Sequence, residues 1–119
     1  MRVVHDPGSD TADRTVLATD VSFADGIGAK VRGLRFRSSL PDDFALVFPF
    51  DGVGRRDIDM LFVRTPIDVL WVVEEEVQRV ETLRAWLGFG FTKADTVIEL
   101  PPGAAGGVSV GDRVFLDDH

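Results

Sequence analysis

Apolar and polar residues alternate along most of this chain with the two-residue period of β-strands. Short runs rich in β-branched and aromatic residues are separated by turns that contain Pro or Gly. The predicted strands cover residues 15–21, 44–48, 58–63, 67–73, 77–83, 96–100 and 114–116. Their roughly ten-residue spacing predicts a mainly β fold, a small β-sandwich or barrel-like domain of about six to eight short strands. The run 67–73 is almost continuously apolar, which predicts a central strand covered on both faces.

One segment, residues 22–33, has the spacing of a short helix instead. Its start resembles a capping box, in which Ser22 and Asp25 accept hydrogen bonds from the first free amides. Apolar residues recur at positions 24, 27, 31 and 34, and Gly33 is placed to end the helix. Residues 1–14 are polar and are predicted to form a flexible N-terminal arm in which His5 is solvated, as is His119 at the other end. Residues 15–117 are then predicted to form a single β-rich domain.

The charge of the chain indicates the kind of solution in which the protein works. The net charge is −7, with 15 Asp among the 20 acidic residues and only 2 Lys among the 13 basic ones. Such a surface suits concentrated salt, because the Debye length there falls to about 3 Å and carboxylate repulsion is screened. We therefore interpret the chain as halophilic, with an ordinary acidic protein as the alternative. The same charge argues against nucleic-acid binding, which needs many Lys and Arg contacts to phosphate.

Several kinds of site and location are excluded or disfavoured by what the sequence lacks. Cysteine is absent, which excludes disulfides, thiolate metal sites and cysteine nucleophiles. No apolar run has the length of a signal peptide or approaches the ~20 residues of a membrane span, so we predict a cytoplasmic protein that does not bind membranes. The sequence also has no phosphate-binding loop, serine elbow or zinc pattern, and we predict no cofactor.

Several segments, in a fixed order, resemble one protein family. They are Arg32-Gly33-Leu34 with Arg37, Leu46-Val47-Phe48, Met60-Leu61-Phe62-Val63, Pro66-Ile67-Asp68-Val69, Val97-Ile98-Glu99-Leu100-Pro101, Gly103 and Gly111-Asp112. From about Val16 to Leu116 the chain resembles the family catalogued as domain of unknown function 192, and it is most similar to the archaeal branch. The resemblance implies a compact β-sandwich or barrel with one short helix, and it implies no reaction. Many members have Trp-Met-Lys-Asn-Thr where this chain has residues 59–65, so no role of that Trp or Asn carries over.

A cluster of positive charge follows the predicted helix. Lys30, Arg32, Arg35 and Arg37 lie within a short stretch that contains no acidic residue. The planar guanidinium of arginine suits bidentate binding of carboxylate or phosphate, and cations are favoured at a helix C-terminus. Arg32, Arg35 and Arg37, together with Arg64, are therefore candidate binding residues for an anionic small molecule or an acidic protein patch. The alternative is that these arginines pair with carboxylates of the same chain.

Asp68 is a carboxylate in the most apolar predicted strand, where it alternates with apolar residues. A buried carboxylate needs hydrogen bonds or a cation, so a structural Asp68 would accept amides of a nearby turn or pair with Arg37 or Arg64. A catalytic Asp68 would instead be a general acid or base. Asp59 lies in the neighbouring predicted strand, and two carboxylates brought together would suit a metal ion or acid–base chemistry.

The segment 84–91 combines three aromatic residues with two glycines. Glycines let such a connection bend, and Trp and Phe offer a large contact area. The segment is either a loop that plugs one end of the core or a recognition surface, with Trp86 and Phe89 as candidate binding residues.

Three functional hypotheses follow from these patterns. The absence of catalytic motifs favours a non-enzymatic ligand- or protein-binding module. The alternative is a small hydrolase or acid–base enzyme that uses Asp68, Asp59 and an arginine. The third hypothesis is a purely structural accessory domain.

Overall fold

The computed structural model describes residues 1–8, 14–24, 34 and 39–118, and its regular elements are strands. These are β1 (Arg2–Asp6), β2 (Thr15–Ala18), β3 (Asp20–Phe23), β4 (Phe44–Asp59), β5 (Ile67–Val73), β6 (Glu76–Leu83), β7 (Phe89–Leu100) and β8 (Arg113–Asp117). The prediction of a mainly β fold is therefore confirmed. The described ranges contain no helix, and thus none with the length and apolar character needed to cross a membrane.

The eight strands belong to one sheet, in the order β2-β1-β8-β6-β5-β7-β4-β3. Neighbouring strands are antiparallel except for β3 and β4, which pair in parallel from Asp20 and Phe44 to Phe23 and Val47. The two outermost strands, β2 and β3, are consecutive in the chain and are separated only by Thr19. The sheet therefore curls until a single residue joins its two ends, which gives the fold its barrel-like form.

The curled sheet carries apolar clusters on both of its faces. Successive residues of a strand point to opposite faces. On β5, Val69 and Trp71 join one buried cluster, while Leu70 and Val72 join the other. These four side chains are almost fully buried. The prediction of a central strand covered on both faces is confirmed.

The pairing of β4 with β7 is interrupted between two points of their register. Pro49 pairs with Thr96 and Gly54 pairs with Ala94, so five steps along β4 match two steps along β7. This is a large β-bulge, a feature that bends a strand and interrupts its ladder. The guanidinium of Arg56 spans the interruption and donates from Nε to the Ala94 carbonyl oxygen at 3.1 Å. The bulge thereby gains a hydrogen bond in place of the lost strand pairing.

Beyond the bend, β4 and β7 cross the face of β5 that carries Trp71. This side chain is fully buried, and its Nε1 donates to the Arg56 carbonyl oxygen at 2.9 Å. The crossing is close at Gly90, where a Cβ would lie only 2.8 Å from Trp71 Cη2. Trp71 therefore marks the point where the distal parts of β4 and β7 close over the rest of the sheet.

Two of the predicted strands are interrupted in the structure. The segment 58–63 is not one strand, since its first two residues end β4 and residues 60–63 form a turn. The Val63 amide donates a hydrogen bond to the Met60 carbonyl oxygen at 3.0 Å, which closes the turn. The side chains of Met60 and Val63 are both buried. Apolar residues at the two ends of a buried turn therefore imitate a strand. The segment 15–21 is interrupted at Thr19, whose amide donates to the Asp43 carbonyl oxygen.

The predicted helix at 22–33 does not begin where its capping pattern suggests. Ser22 and Phe23 belong to β3, where they pair with Leu46 and Val47 of β4. Ser22 is therefore a strand residue, and the pairing with β4 overrides the local capping signal. Residues 25–33 lie outside the described part of the chain.

The prediction of a flexible arm is wrong for residues 2–6. They form β1, which pairs with β2 on one side and with β8 on the other. Val3, Val4 and His5 are at most 5% exposed. A five-residue strand is too short to show a clear period, and the partners that bury it come from distant parts of the chain.

Candidate functional site

Two turns lie side by side at one end of the curled sheet. The first, residues 60–63, follows β4, and the second, residues 84–88, joins β6 to β7. The Met60 amide donates to the Gly88 carbonyl oxygen and the Trp86 amide donates to the Val63 carbonyl oxygen, each at 3.0 Å. Met60 and Val63 are buried in the core. Backbone hydrogen bonds and core packing therefore hold the two turns in a fixed arrangement.

The second turn and the start of β7 expose four large apolar side chains, which we call the aromatic surface: Trp86, Leu87, Phe89 and Phe91. Their exposed fractions are 47%, 72%, 53% and 43%. Since alternate residues of a strand face opposite sides, the inward position of Gly90 turns Phe89 and Phe91 outward. Their ring centroids are 6.1 Å apart. The segment 84–91 therefore does not plug the core.

The backbone at the edge of the aromatic surface is strained. Trp86 has a φ of 65°, and Phe62 of the neighbouring turn has a φ of 63°. Bulky residues rarely adopt this left-handed region, which costs about 1–3 kcal/mol and tends to occur at functional sites. The two rings meet edge to face with their centroids 5.6 Å apart. The strained conformation keeps the Trp86 ring on the surface beside Phe62.

Positive side chains surround the aromatic surface. The guanidinium of Arg55 lies over the Phe91 ring, 4.0 Å from its centroid, and also pairs with Asp57. Lys93 is the cross-strand neighbour of Arg55 and is exposed. Arg64 and Arg84 are exposed in or beside the two turns. Within the described ranges, Arg64, Arg84 and Lys93 form no salt bridge.

Three of the predicted binding residues come together in this region. Trp86 and Phe89 belong to the aromatic surface. Arg64 directly follows Val63, whose carbonyl oxygen accepts the Trp86 amide, so Arg64 lies beside the same turn. The other three candidates, Arg32, Arg35 and Arg37, lie outside the described residues.

Asp68 has the buried position that the sequence predicts, but its partners are neutral. The residue is 3% exposed. Its Oδ1 accepts the Thr82 hydroxyl at 2.8 Å, and its Oδ2 accepts the Ala105 amide at 2.9 Å. Within the described part of the chain Asp68 forms no salt bridge, so pairing with Arg64 does not occur. Asp68 fixes the turn that follows β7, and these contacts support the structural interpretation.

Asp59 lies in a different environment from Asp68. It is exposed at the end of β4, and its Oδ1 accepts the Leu61 amide at 3.1 Å. The Leu61 amide that donates to Asp59 is not a partner of Asp68, whose two oxygens accept from Thr82 and Ala105. The described residues also contain no group of three or more His, Asp or Glu side chains able to hold a metal ion.

Sequence reasoning missed two buried polar residues, and His5 is the clearer case. It is 5% exposed, and its Nε2 lies 2.8 Å from Asp112 Oδ2. Burial alone raises the pKa of Asp112, but hydrogen bonds from His5 and from the Ser109 amide lower it, and the pKa lies below its usual value. The pair ties β1 to the turn before β8. The two valines just before His5 were the available signal for burial.

Glu99 on β7 is the second missed residue, at 5% exposed. It occupies an apolar run just as Asp68 does, so the same argument could have found it. Its register neighbours are Leu46 of β4 and Val69 of β5. Glu99 is therefore a buried acidic residue on a strand that lies between β4 and β5.

Two solved structures share this fold. One, from Sinorhizobium meliloti 1021, is described as a "putative transcription regulator". It is 21% identical in sequence, its TM-score is 0.80, and the similarity covers 96% of this chain and 91% of that chain. The other is a protein of unknown function from Novosphingobium aromaticivorans DSM 12444, with a TM-score of 0.78 at 22% identity, over 97% of this chain and 84% of that chain. Likeness at this level of identity concerns the fold alone. Comparison with curated proteins gives no match.

The sequence profile of one family spans nearly the whole chain. That family is DUF192, described as Uncharacterized ACR, COG1430, and its profile matches residues 9–116. The match contains strands β2 to β7, most of β8 and both turns of the candidate site. The chain therefore belongs to the DUF192 family.

Proposed function

We propose that this protein is a non-enzymatic binding module whose contact area is the aromatic surface. The observation that carries the proposal is the exposure of Trp86, Leu87, Phe89 and Phe91 within a stretch of six residues. Folded monomers rarely leave a group of large apolar side chains in water, and such groups commonly mark interaction sites. Trp, Phe and Arg are also the residue types enriched where proteins make contact.

The rigidity of the surface supports the same function. The two turns are joined by backbone hydrogen bonds, and Trp86 is held at a φ of 65° that costs free energy. A preorganised surface loses little conformational entropy when it binds. The enzyme alternative uses Asp68, Asp59 and an arginine, and it is less well supported because both oxygens of Asp68 are engaged by Thr82 and Ala105. We therefore place the function at the aromatic surface.

The experiment is site-specific photo-crosslinking in the cells that produce the protein. A benzophenone amino acid replaces Phe89 in one variant and Val110 in a control, which is an exposed apolar residue outside the surface. We expect discrete protein or ligand adducts from position 89 and none from position 110. Equal adducts from both positions, or none from position 89, would contradict the proposal.

Trp86→Gly in the crosslinking variant separates binding from stability. Glycine adopts positive φ without strain, so relief of strain offsets the lost contact with Phe62. We expect the free energy of unfolding to change by no more than about 1 kcal/mol while the adducts at position 89 disappear. Adducts that persist at full yield would show that Trp86 is not part of the contact.

We propose that the module works in a cytoplasm with concentrated salt. The amino-acid composition supports this proposal. The net charge of −7 with 15 Asp leaves surface carboxylates to repel one another in dilute buffer. We expect the melting temperature to rise steadily from dilute buffer to molar potassium chloride, because the salt screens this repulsion. A flat response, measured by circular dichroism, would remove the halophilic interpretation.

A further inference from the structure

We infer that the aromatic surface binds a segment of another protein in which a bulky apolar side chain is flanked by Asp or Glu. The inference rests on the proposed function and adds the chemistry of the partner. The exposed rings and Leu87 would receive the apolar side chain. The cations around them would receive the carboxylates.

The local charge differs in sign from the charge of the chain. Four cations, Arg55, Arg64, Arg84 and Lys93, stand around the aromatic surface with two carboxylates, Asp57 and Asp59. These six groups give a local charge of +2, whereas the whole chain carries −7. A small basic area on an acidic protein concentrates a positive field at that place. It attracts carboxylates of a partner and repels a basic one.

The arrangement of the cations is suited to an apolar centre with acidic flanks. Arg64 and Arg84 lie on the side of the two turns, and Lys93 lies beyond Phe91 on the strand. Within the described residues these three form no salt bridge, so they have no competing carboxylate to displace. An extended segment that crosses the rings would meet a cation before and after its apolar residue.

A second copy of the chain fits this surface poorly. In a symmetric dimer the same patch meets itself, so each copy would bring its Arg64, Arg84 and Lys93 toward those of the other. Like charges brought together in this way oppose association. The charge pattern therefore favours a different chain as the occupant.

An anionic lipid surface also fits less well than a peptide segment. A membrane is an extended plane, and it would interact with the net charge of −7 over a distance of about 8–10 Å at moderate salt. A short segment contacts only the local area of charge +2. The overall repulsion therefore selects a compact acidic partner over an extended anionic one.

The test is selection from a display library of random peptides on the full chain at about 0.15 M salt, with enriched peptides measured singly by fluorescence anisotropy. We expect enriched peptides to share a Trp, Phe, Leu or Met next to Asp or Glu. Arg64→Glu with Arg84→Glu should weaken their binding about tenfold, because two attractive pairs become repulsive. Arg14→Glu with Arg113→Glu changes the net charge equally on the β1–β8 side, and it should leave binding within about twofold.

The outcomes separate this inference from the proposed function. Two results would overturn the inference of an acidic partner without affecting Trp86-dependent binding. One is that the enriched peptides contain no acidic residues. The other is that both charge-reversal variants lose peptide affinity equally. Enriched peptides that bind Trp86→Gly at full strength would overturn the aromatic surface itself. Failure to enrich any peptide would overturn the inference. Trp86-dependent sedimentation with phosphatidylglycerol vesicles, or a Trp86-dependent dimer in light scattering, would assign the surface to lipid or to a second copy instead.

Discussion

Trp71→Ala should lower the free energy of unfolding by about 3–5 kcal/mol, the range seen when a large aromatic side chain is removed from a core. Trp71 is fully buried and sits between β5 and the crossing strands β4 and β7. Its removal leaves a cavity and also takes away the donor to the Arg56 carbonyl oxygen. Denaturant titration followed by circular dichroism gives the measurement.

Trp71→Phe is the matched control for this prediction. It retains most of the ring volume but loses the Nε1 donor, so we expect a loss of about 1–2 kcal/mol. The variant also leaves Trp86 as the sole tryptophan, whose fluorescence then reports directly on the aromatic surface. A loss below about 1 kcal/mol for Trp71→Ala would contradict the closure of β4 and β7 over this residue.

Asp68→Ala should cost about 1–3 kcal/mol, because it leaves the Ala105 amide without an acceptor inside the protein. The expected loss is smaller than for a carboxylate that neutralises a buried cation, since both partners of Asp68 are neutral. The same denaturant titration measures it. A loss under about 0.5 kcal/mol would mean that the carboxylate is exposed to water in solution.

Asp68→Asn tests whether the role is hydrogen bonding or charge. The amide oxygen can accept from Ala105, and the amide nitrogen can donate to the Thr82 hydroxyl, which then acts as acceptor. We expect Asp68→Asn to retain at least half of the stability that Asp68→Ala loses. Equal losses in the two variants would indicate that the negative charge itself is needed.

Strand identity was predicted best where burial on both faces leaves a continuous apolar run. Strand β5 has the same limits in the sequence prediction and in the structure, Ile67–Val73. Strands β4 and β7 were predicted only in part, because both contain residues that are typical of turns. These residues are Pro49, Gly52 and Gly54 in β4 and Gly90 in β7. In the structure Pro49 and Gly54 flank the bulge and Gly52 lies within it, while Gly90 lies against Trp71, where a Cβ would come within 2.8 Å of the ring.

The candidate site was predicted residue by residue but not as a surface. Aromatic residues with glycines indicated either a plug or a recognition surface, and local sequence cannot distinguish the two. The difference lies in Gly90: because it faces Trp71, the flanking Phe89 and Phe91 must face solvent. Asp68 was identified as buried, but its partner Ala105 is 37 residues away in the chain.

The sequence by itself determined that this protein is mainly β, acidic and free of cysteine, and that its central strand is covered on both faces. These properties follow from the amino-acid composition and from the local spacing of apolar residues. Neither depends on contacts between distant parts of the chain. The tertiary structure alone decided that β2 and β3 join the two ends of the sheet, and that residues 2–6 are a buried strand. It also decided which side of β7 meets water. Such features depend on which distant strands pair and in what register, and a shift of one residue would turn every side chain to the opposite face.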